Sequence, residues 1–177
     1  CASEIGKNCF DAIIDVRSPS EFSTDHVPNA INLPALTDSE RGDVGSIYKN
    51  FSPFEARKLG GALIAENVGQ HLKKVLVKNK QTWKPLIYCW RGGQRSKAFA
   101  TVLSEVGWKV SVIEGGYKSY RRIIYRSLYQ DTFERKIYLI AGNTGTAKTQ
   151  ILKLLGDEGV NIIDLEGLAK HKGSVFG

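Results

Sequence analysis

The sequence predicts an α/β fold built on a mainly parallel sheet, and three observations support this. Short β-rich runs alternate with longer helical stretches along the whole chain. Two of those runs end in glycine-bearing loops that lead straight into helices. With 177 residues and 42% hydrophobic content, the chain can bury one full core and begin a second.

In chain order, the first expected strand is Ala12 to Val16, followed by a helix from Ser20 to Asp25 and a strand from Ala30 to Leu33. Helices then cover Ser39 to Lys49 and Pro53 to about Asn79. Gly60 and Gly61 weaken the second of these, so a bend or break is expected nearby. The strand Pro85 to Cys89 feeds a helix from Ser96 to Val106, and the strand Lys109 to Ile113 feeds a helix from Tyr117 to about Phe133. Beyond the polar stretch Gln130 to Lys136, a strand at Ile137 to Ala141, a helix at Lys148 to Leu155 and a strand at Asn161 to Asp164 complete the pattern. That polar stretch divides the expectation into one domain over residues 10–130 and the start of another over 136–177.

Lysine and arginine outnumber aspartate and glutamate by 25 to 18, a net charge of +7. This favours a polyanionic partner such as RNA, although a merely basic surface explains it equally well. No apolar run approaches the roughly eighteen residues of a membrane span, and no signal peptide is evident, so the expectation is a cytoplasmic protein with no membrane partner. Cys1, Cys9 and Cys89 make neither a disulfide framework nor a metal-spaced cluster, so no metal is expected from them. The chain begins at Cys1, lacks methionine and stops at Gly177 after a hydrophobic segment, as a piece of a longer protein would.

Cys89 ends a strand and opens the loop Trp90, Arg91, Gly92, Gly93, Gln94, Arg95, Ser96. A strand's C-terminal end is where open α/β sheets bind ligands. The glycines allow successive N–H groups to turn inward as an anion nest, a helix start adds partial positive charge, and Arg91 and Arg95 add full charges. Cys89 is therefore the expected nucleophile, with Arg95 and Arg91 as catalytic partners. A thiol of pKa about 8.5 is about 3% ionised at pH 7, and a fall of about two units raises that to about 75%. The accompanying loss of intrinsic nucleophilicity, about eightfold, leaves a net gain of only about threefold. The loop's larger task is thus to hold a charged adduct or an incoming oxyanion.

This loop resembles that of the rhodanese family. So do Ile14-Asp15-Val16-Arg17, Glu21-Phe22, the run His26 to Pro34, and Glu114-Gly115-Gly116-Tyr117, over roughly Phe10 to Arg126. The resemblance implies a rhodanese-like parallel-sheet domain whose cysteine carries sulfur as a persulfide. Asp15, Arg17 and His26 read as structural, fixing loops at the sheet edge. The spacing from Cys89 to Arg95 is also that of cysteine-dependent phosphatases, in which the arginine grips phosphate bidentately. No acidic residue precedes or lies within the loop to serve as general acid.

The second glycine-bearing loop is Gly142, Asn143, Thr144, Gly145, Thr146, Ala147, Lys148, Thr149. Strand, loop and helix together form a Walker A context, in which N–H groups cradle phosphates, lysine neutralises them and threonine reaches Mg²⁺. Ala147 stands where a second glycine is expected. If that position requires positive φ, alanine costs about 1–2 kcal/mol, which weakens the cradle. Asp164 reads equally as a metal-facing acid or as a helix cap. A rhodanese-like domain followed closely by the beginning of a P-loop NTPase-like domain is similar to the tRNA 2-selenouridine synthase family. The segments Glu114 to Lys118 and Asp164 to Ser174 agree with that comparison. The resemblance implies a transferase that replaces sulfur by selenium at wobble-position 2-thiouridine of tRNA through a geranylated intermediate. Selenophosphate and geranyl diphosphate would be the co-substrates, with a nucleotide or Mg²⁺ at the P-loop left open. The alternatives are a generic rhodanese sulfurtransferase, a rhodanese-fold phosphatase and a non-enzymatic tRNA-binding module.

On the helix from Tyr117, Lys118, Arg122 and Arg126 recur every four residues as a basic stripe, with Arg121, Tyr125 and Tyr129 alongside. Such a stripe can follow RNA phosphates while tyrosines stack on bases, and it reads as readily as a solvated face with tyrosines packed inward.

Overall fold

The computed structural model describes residues 10–131, 136–143 and 145–170. The chain divides into two units, Cys1–Phe133 and Glu134–Gly177. In the first, β1 (Ala12–Asp15), α1 (Pro19–Thr24), β2 (Ala30–Asn32), α2 (Asp38–Asn50), α3 (Pro53–Lys74), β3 (Pro85–Tyr88), α4 (Gln94–Glu105), β4 (Ser111–Val112) and α5 (Gly116–Tyr129) follow in order. A short 3₁₀ turn at Leu76–Lys78 links α3 to the run into β3. The second unit contributes α6 (Lys148–Asp157) and α7 (Leu165–Leu168).

The four strands form one sheet in the order β2-β1-β3-β4, and every pair is parallel. The chain steps from β1 to one side and later from β3 to the other, which puts the topological switch point between the C-terminal ends of β1 and β3. Asp15 there pairs in register with Tyr88.

Alternation along the strands sorts side chains between two faces. Ile14, Val16, Ile87 and Cys89 join one core cluster with Ile64 and Val68 of α3 and Phe99 and Leu103 of α4. Leu86, Tyr88 and Ile113 join the other with Val27 and Tyr117 of α5. Helices therefore cover both faces. Each fully buried large apolar side chain contributes about 1.5–3 kcal/mol.

Local chemistry starts the helices where they start. Glu21 accepts the Ser18 N–H at 3.2 Å before α1. Thr37 and Glu40 make the reciprocal pair before α2, at 3.3 and 2.7 Å. Ser52 accepts the Phe54 N–H at 3.1 Å before α3, with Pro53 in its first turn. These capping bonds satisfy N–H groups that have no partner inside the helix.

Three expectations are corrected. α3 runs unbroken through Gly60 and Gly61, because Gly60 is buried against Val44 of α2 and close interhelical packing offsets its low helix propensity. α3 ends at Lys74, short of Asn79. The strands expected at Ile137 to Ala141 and Asn161 to Asp164 form no ladder among the described residues. A strand exists by pairing, and the apolar side chains of Ile137, Tyr138 and Leu139 are all exposed.

The switch point is held by a buried charge pair. Arg17 is 1% exposed. Its Nε lies 3.0 Å from both Asp15 carboxylate oxygens and its Nη2 2.6 Å from Oδ2. Nη2 also donates to the Asp25 carbonyl at 2.6 Å, and the guanidinium sits 4.0 Å from the Tyr117 ring centroid. Removing one partner leaves an uncompensated buried charge. Asp15→Ala is expected to lose about 3–5 kcal/mol in urea denaturation, and replacing both partners with apolar residues of similar volume to lose much less.

Candidate active site

β3 delivers Cys89 to the switch point beside Val16, whose N–H bonds the Tyr88 carbonyl at 3.0 Å. The thiol is almost wholly enclosed at 3% exposure. Ser96 Oγ lies 3.2 Å from Sγ and 3.2 Å from the Gly93 carbonyl oxygen. Burial pushes the Cys89 pKa up, but hydrogen bonding to the sulfur from the Ser96 hydroxyl and from the N–H groups of Ser96, Gly93 and Arg91 outweighs it. The pKa therefore falls below the ordinary thiol value.

Glycine is required twice behind this loop. Gly92 has φ +66°, and a Cβ there would stand 2.9 Å from the Ile113 carbonyl. Gly116 has φ +61°, and a Cβ there would run into the Cys89 carbonyl and the Gly92 nitrogen. Without those atoms the start of α5 docks on the loop: Tyr117 N–H donates to Cys89 O at 2.9 Å and Lys118 N–H to Trp90 O at 3.0 Å.

The remaining loop residues are placed differently from one another. Gln94 opens α4, and Arg91 and Gln94 are exposed. Trp90 is 37% exposed, its ring 5.8 Å from that of Tyr117. Arg95 turns to α1, with Nη1 2.7 Å from Glu21 Oε2 and Nη2 3.5 Å from Oε1. Arg41 Nε reaches the same Oε2 at 3.3 Å. Burial raises the Glu21 pKa, but Arg95, the Ser18 N–H and Arg41 together hold it below the usual carboxylate value.

A cavity of about 360 Å³ opens beside the loop, walled by Trp90, Arg95, Arg17, Tyr117 and Glu21. A larger one of about 1150 Å³ lies between α2 and α3 and reaches Gln94 and Arg95. Glu21 has a role at the site beyond its place in the opening motif. Its only local sequence signal is the Ser18-Pro19-Ser20-Glu21 capping pattern, since Arg95 is 74 residues away. His26 stacks on Phe22 at 3.9 Å and its Nδ1 lies 2.9 Å from the Phe22 carbonyl oxygen, so it braces the end of α1.

In the second unit, Thr144 lies outside the described residues. Ala147 caps α6 with φ +58°, the left-handed conformation that disfavours alanine, and Gly145 has φ +86°. Lys148 Nζ folds back onto the carbonyls of Gly142 and Asn143 at 2.8 and 2.9 Å, and Thr146 Oγ1 donates to Asn143 O at 2.8 Å. Thr149, in the first turn of α6, is exposed. Asp164 accepts the Gly167 N–H at 2.9 Å and caps α7, as the helix-cap reading expects.

Lys118, Arg121, Arg122 and Arg126 are all exposed on α5. Tyr125 and Tyr129 are 57% and 73% exposed with ring centroids 4.8 Å apart, so they do not pack inward.

The loop geometry leads to a pH test. Alkylation of Cys89 by iodoacetamide should rise with pH through a midpoint below that of an ordinary thiol. Ser96→Ala should move that midpoint upward, because the thiolate loses a donor while burial remains.

Comparison with known proteins accords with this geometry. The Rhodanese-like domain family matches residues 2–123, and the family described as tRNA 2-selenouridine synthase AAA domain matches residues 135–177. A tRNA 2-selenouridine synthase of Bdellovibrio bacteriovorus is 36% identical over 97% of this chain and 46% of its own length. One from Sulfurovum sp. is 40% identical over 93% and 44%. The chain thus spans about half the length of these curated relatives. The crystal structure of the N-terminal domain of a putative ATP/GTP binding protein from Clostridium difficile 630 superimposes with a TM-score of 0.57 at 36% identity. The match covers 64% of this chain and 88% of that one. Cys89 in its N–H cradle at the switch point, the family match over residues 2–123 and this shared fold agree: the chain belongs to the rhodanese-like family, with a segment akin to the AAA domain of tRNA 2-selenouridine synthases behind it.

Proposed function

We propose that this chain is the chalcogen-carrying part of a tRNA-modifying transferase, with Cys89 holding sulfur or selenium as a charged adduct. The observation that carries this reading is the enclosed Cys89 thiol, whose thiolate is favoured by three main-chain N–H groups and the Ser96 hydroxyl. A persulfide or selenosulfide anion carries its charge on the outer atom, one bond beyond Sγ, and a loop rich in N–H donors suits that anion as well. The relatives named as tRNA 2-selenouridine synthases support tRNA as acceptor and 2-selenouridine as product, and the reaction read here is replacement of sulfur by selenium at a wobble 2-thiouridine. On this reading the geranylated intermediate, selenophosphate and geranyl diphosphate belong to the whole protein. The loop Gly142 to Thr149 takes a phosphate group, from a nucleotide with Mg²⁺ or from a co-substrate.

A rhodanese-fold phosphatase would release phosphate from a phosphate ester without tRNA. A generic sulfurtransferase would pass sulfur from thiosulfate to cyanide without tRNA. A tRNA-binding module would bind tRNA and turn nothing over.

The test is nucleoside analysis of 2-thiouridine tRNA incubated with the full-length protein, selenophosphate and geranyl diphosphate. Selenouridine should form with wild type and fall below detection with Cys89→Ser at unchanged thermal stability. Wild-type yield from Cys89→Ser would overturn the reading.

The basic stripe of α5 is the proposed tRNA contact, through Lys118, Arg121, Arg122 and Arg126. Replacing Arg122 and Arg126 by Gln should weaken tRNA binding and reduce the slope of log affinity against log salt by about 1.5, as two lost phosphate contacts require.

A further inference from the structure

We propose that the cavity between α2 and α3 is a binding site for an organic diphosphate with an apolar body. Lys49 and Arg57 hold its charged head, and the space between the two helices holds its apolar part.

The cavity measures about 1150 Å³. Pockets for small organic molecules are commonly about 300–1000 Å³, so an inorganic oxyanion would leave most of this one empty. Its floor is apolar: Leu36, Ala56 and Ile64 are buried there, with Val44 of α2 beside them. Glycine keeps that floor open. Gly45 of α2 and Gly61 of α3 both line the cavity, and a Cβ added to either would meet nothing within 4 Å. Both lie inside helices, where glycine is unfavourable compared with alanine, and neither has positive φ or a close neighbour that demands it. Room for a ligand accounts for both.

The charge on the walls is of one sign. Arg41, Lys49, Arg57 and Arg95 line the cavity, and among the described residues no carboxylate does. Arg41 and Arg95 share Glu21, which lies outside the cavity lining. Lys49 and Arg57 have no ion pair among the described residues, and Arg57 uses only its Nε, on the Pro53 carbonyl at 3.2 Å. These two flank the turn from α2 into α3, where the start of the 22-residue α3 adds partial positive charge. Cations at that end can take a multiply charged head while the floor takes a hydrocarbon. A nucleotide would match the charge but set a polar sugar and base on an apolar floor.

Of the co-substrates in the proposed reaction, geranyl diphosphate has both halves and selenophosphate only the charge. The ligand's name rests on that reaction, whereas the chemistry of the site rests on the cavity. The loop Gly142 to Thr149 is then left to a nucleotide or to selenophosphate.

The test is isothermal titration of the full-length protein with geranyl diphosphate, geraniol, inorganic diphosphate and ADP. Geranyl diphosphate should bind at least about tenfold more tightly than geraniol or inorganic diphosphate, and ADP should not displace it. Gly45→Leu and Gly61→Leu fill the cavity from opposite helices. Each exchanges glycine for a better helix former, so a loss of binding at undiminished thermal stability reports blocked space. Either should weaken geranyl diphosphate by about tenfold or more. Lys49→Gln combined with Arg57→Gln should weaken it by about tenfold and leave geraniol binding unchanged.

Equal affinity for geranyl diphosphate and inorganic diphosphate, displacement by ADP, or wild-type binding in both folded leucine variants would overturn the proposal. So would binding that is lost in Lys148→Ala and kept in the leucine variants, a result that moves the ligand to the loop Gly142 to Thr149 and leaves the proposed reaction standing. Absence of geranyl diphosphate binding to wild type would overturn it as well, while selenouridine formation judges the reaction separately.

Discussion

The architecture of the first unit turns on a guanidinium with almost no access to water. Arg17 lies two residues beyond the end of β1, and its charge would be costly there without compensation. The Asp15 carboxylate, the Asp25 carbonyl and the face of Tyr117 supply it. Each comes from a different part of the chain: β1 itself, the end of α1 and the first turn of α5. Asn32 adds a brace at the end of β2, donating to the carbonyls of Asp15 and Arg17 at 2.9 Å each. One buried charge thus sets the mutual positions of several segments that surround the cysteine loop. The hydrophobic clusters on the two faces supply most of the stabilisation, but they are less directional.

The thiolate site is made by omission as much as by donors. Two glycines with positive φ let α5 approach so closely that its first N–H groups bond the carbonyls of Cys89 and Trp90. With the Trp90 carbonyl engaged by α5, the Arg91 N–H of the same peptide unit points the other way. Burial alone would have made Cys89 an inert core thiol, and the opposing hydrogen bonds reverse that.

Much of this was legible from sequence because it is local. The parallel α/β alternation, the strand ending at Cys89, the glycine-bearing nest and the caps all follow from residues within a few positions of one another. Long-range pairings were not legible: nothing near Arg95 announces that a carboxylate from α1 will meet its fork, and the order β2-β1-β3-β4 follows from packing. Gly60 misled because propensity cannot register the neighbouring Val44 of α2. The runs at residues 137–141 and 161–164 misled because β-rich composition does not supply a pairing partner. Ala147 is the reverse case. The cost of positive φ there was foreseeable from the motif, and the chain adopts that conformation.

α5 joins two kinds of surface on one rigid rod. Its first turn is bonded to the cysteine loop, and its exposed cations continue to Arg126, ten residues beyond Gly116. At 1.5 Å per residue the rod carries them about 15 Å from the loop. The helix is therefore a ruler, and a small thiol or a single nucleotide is too short to span it. A molecule that engages both ends must be at least that long.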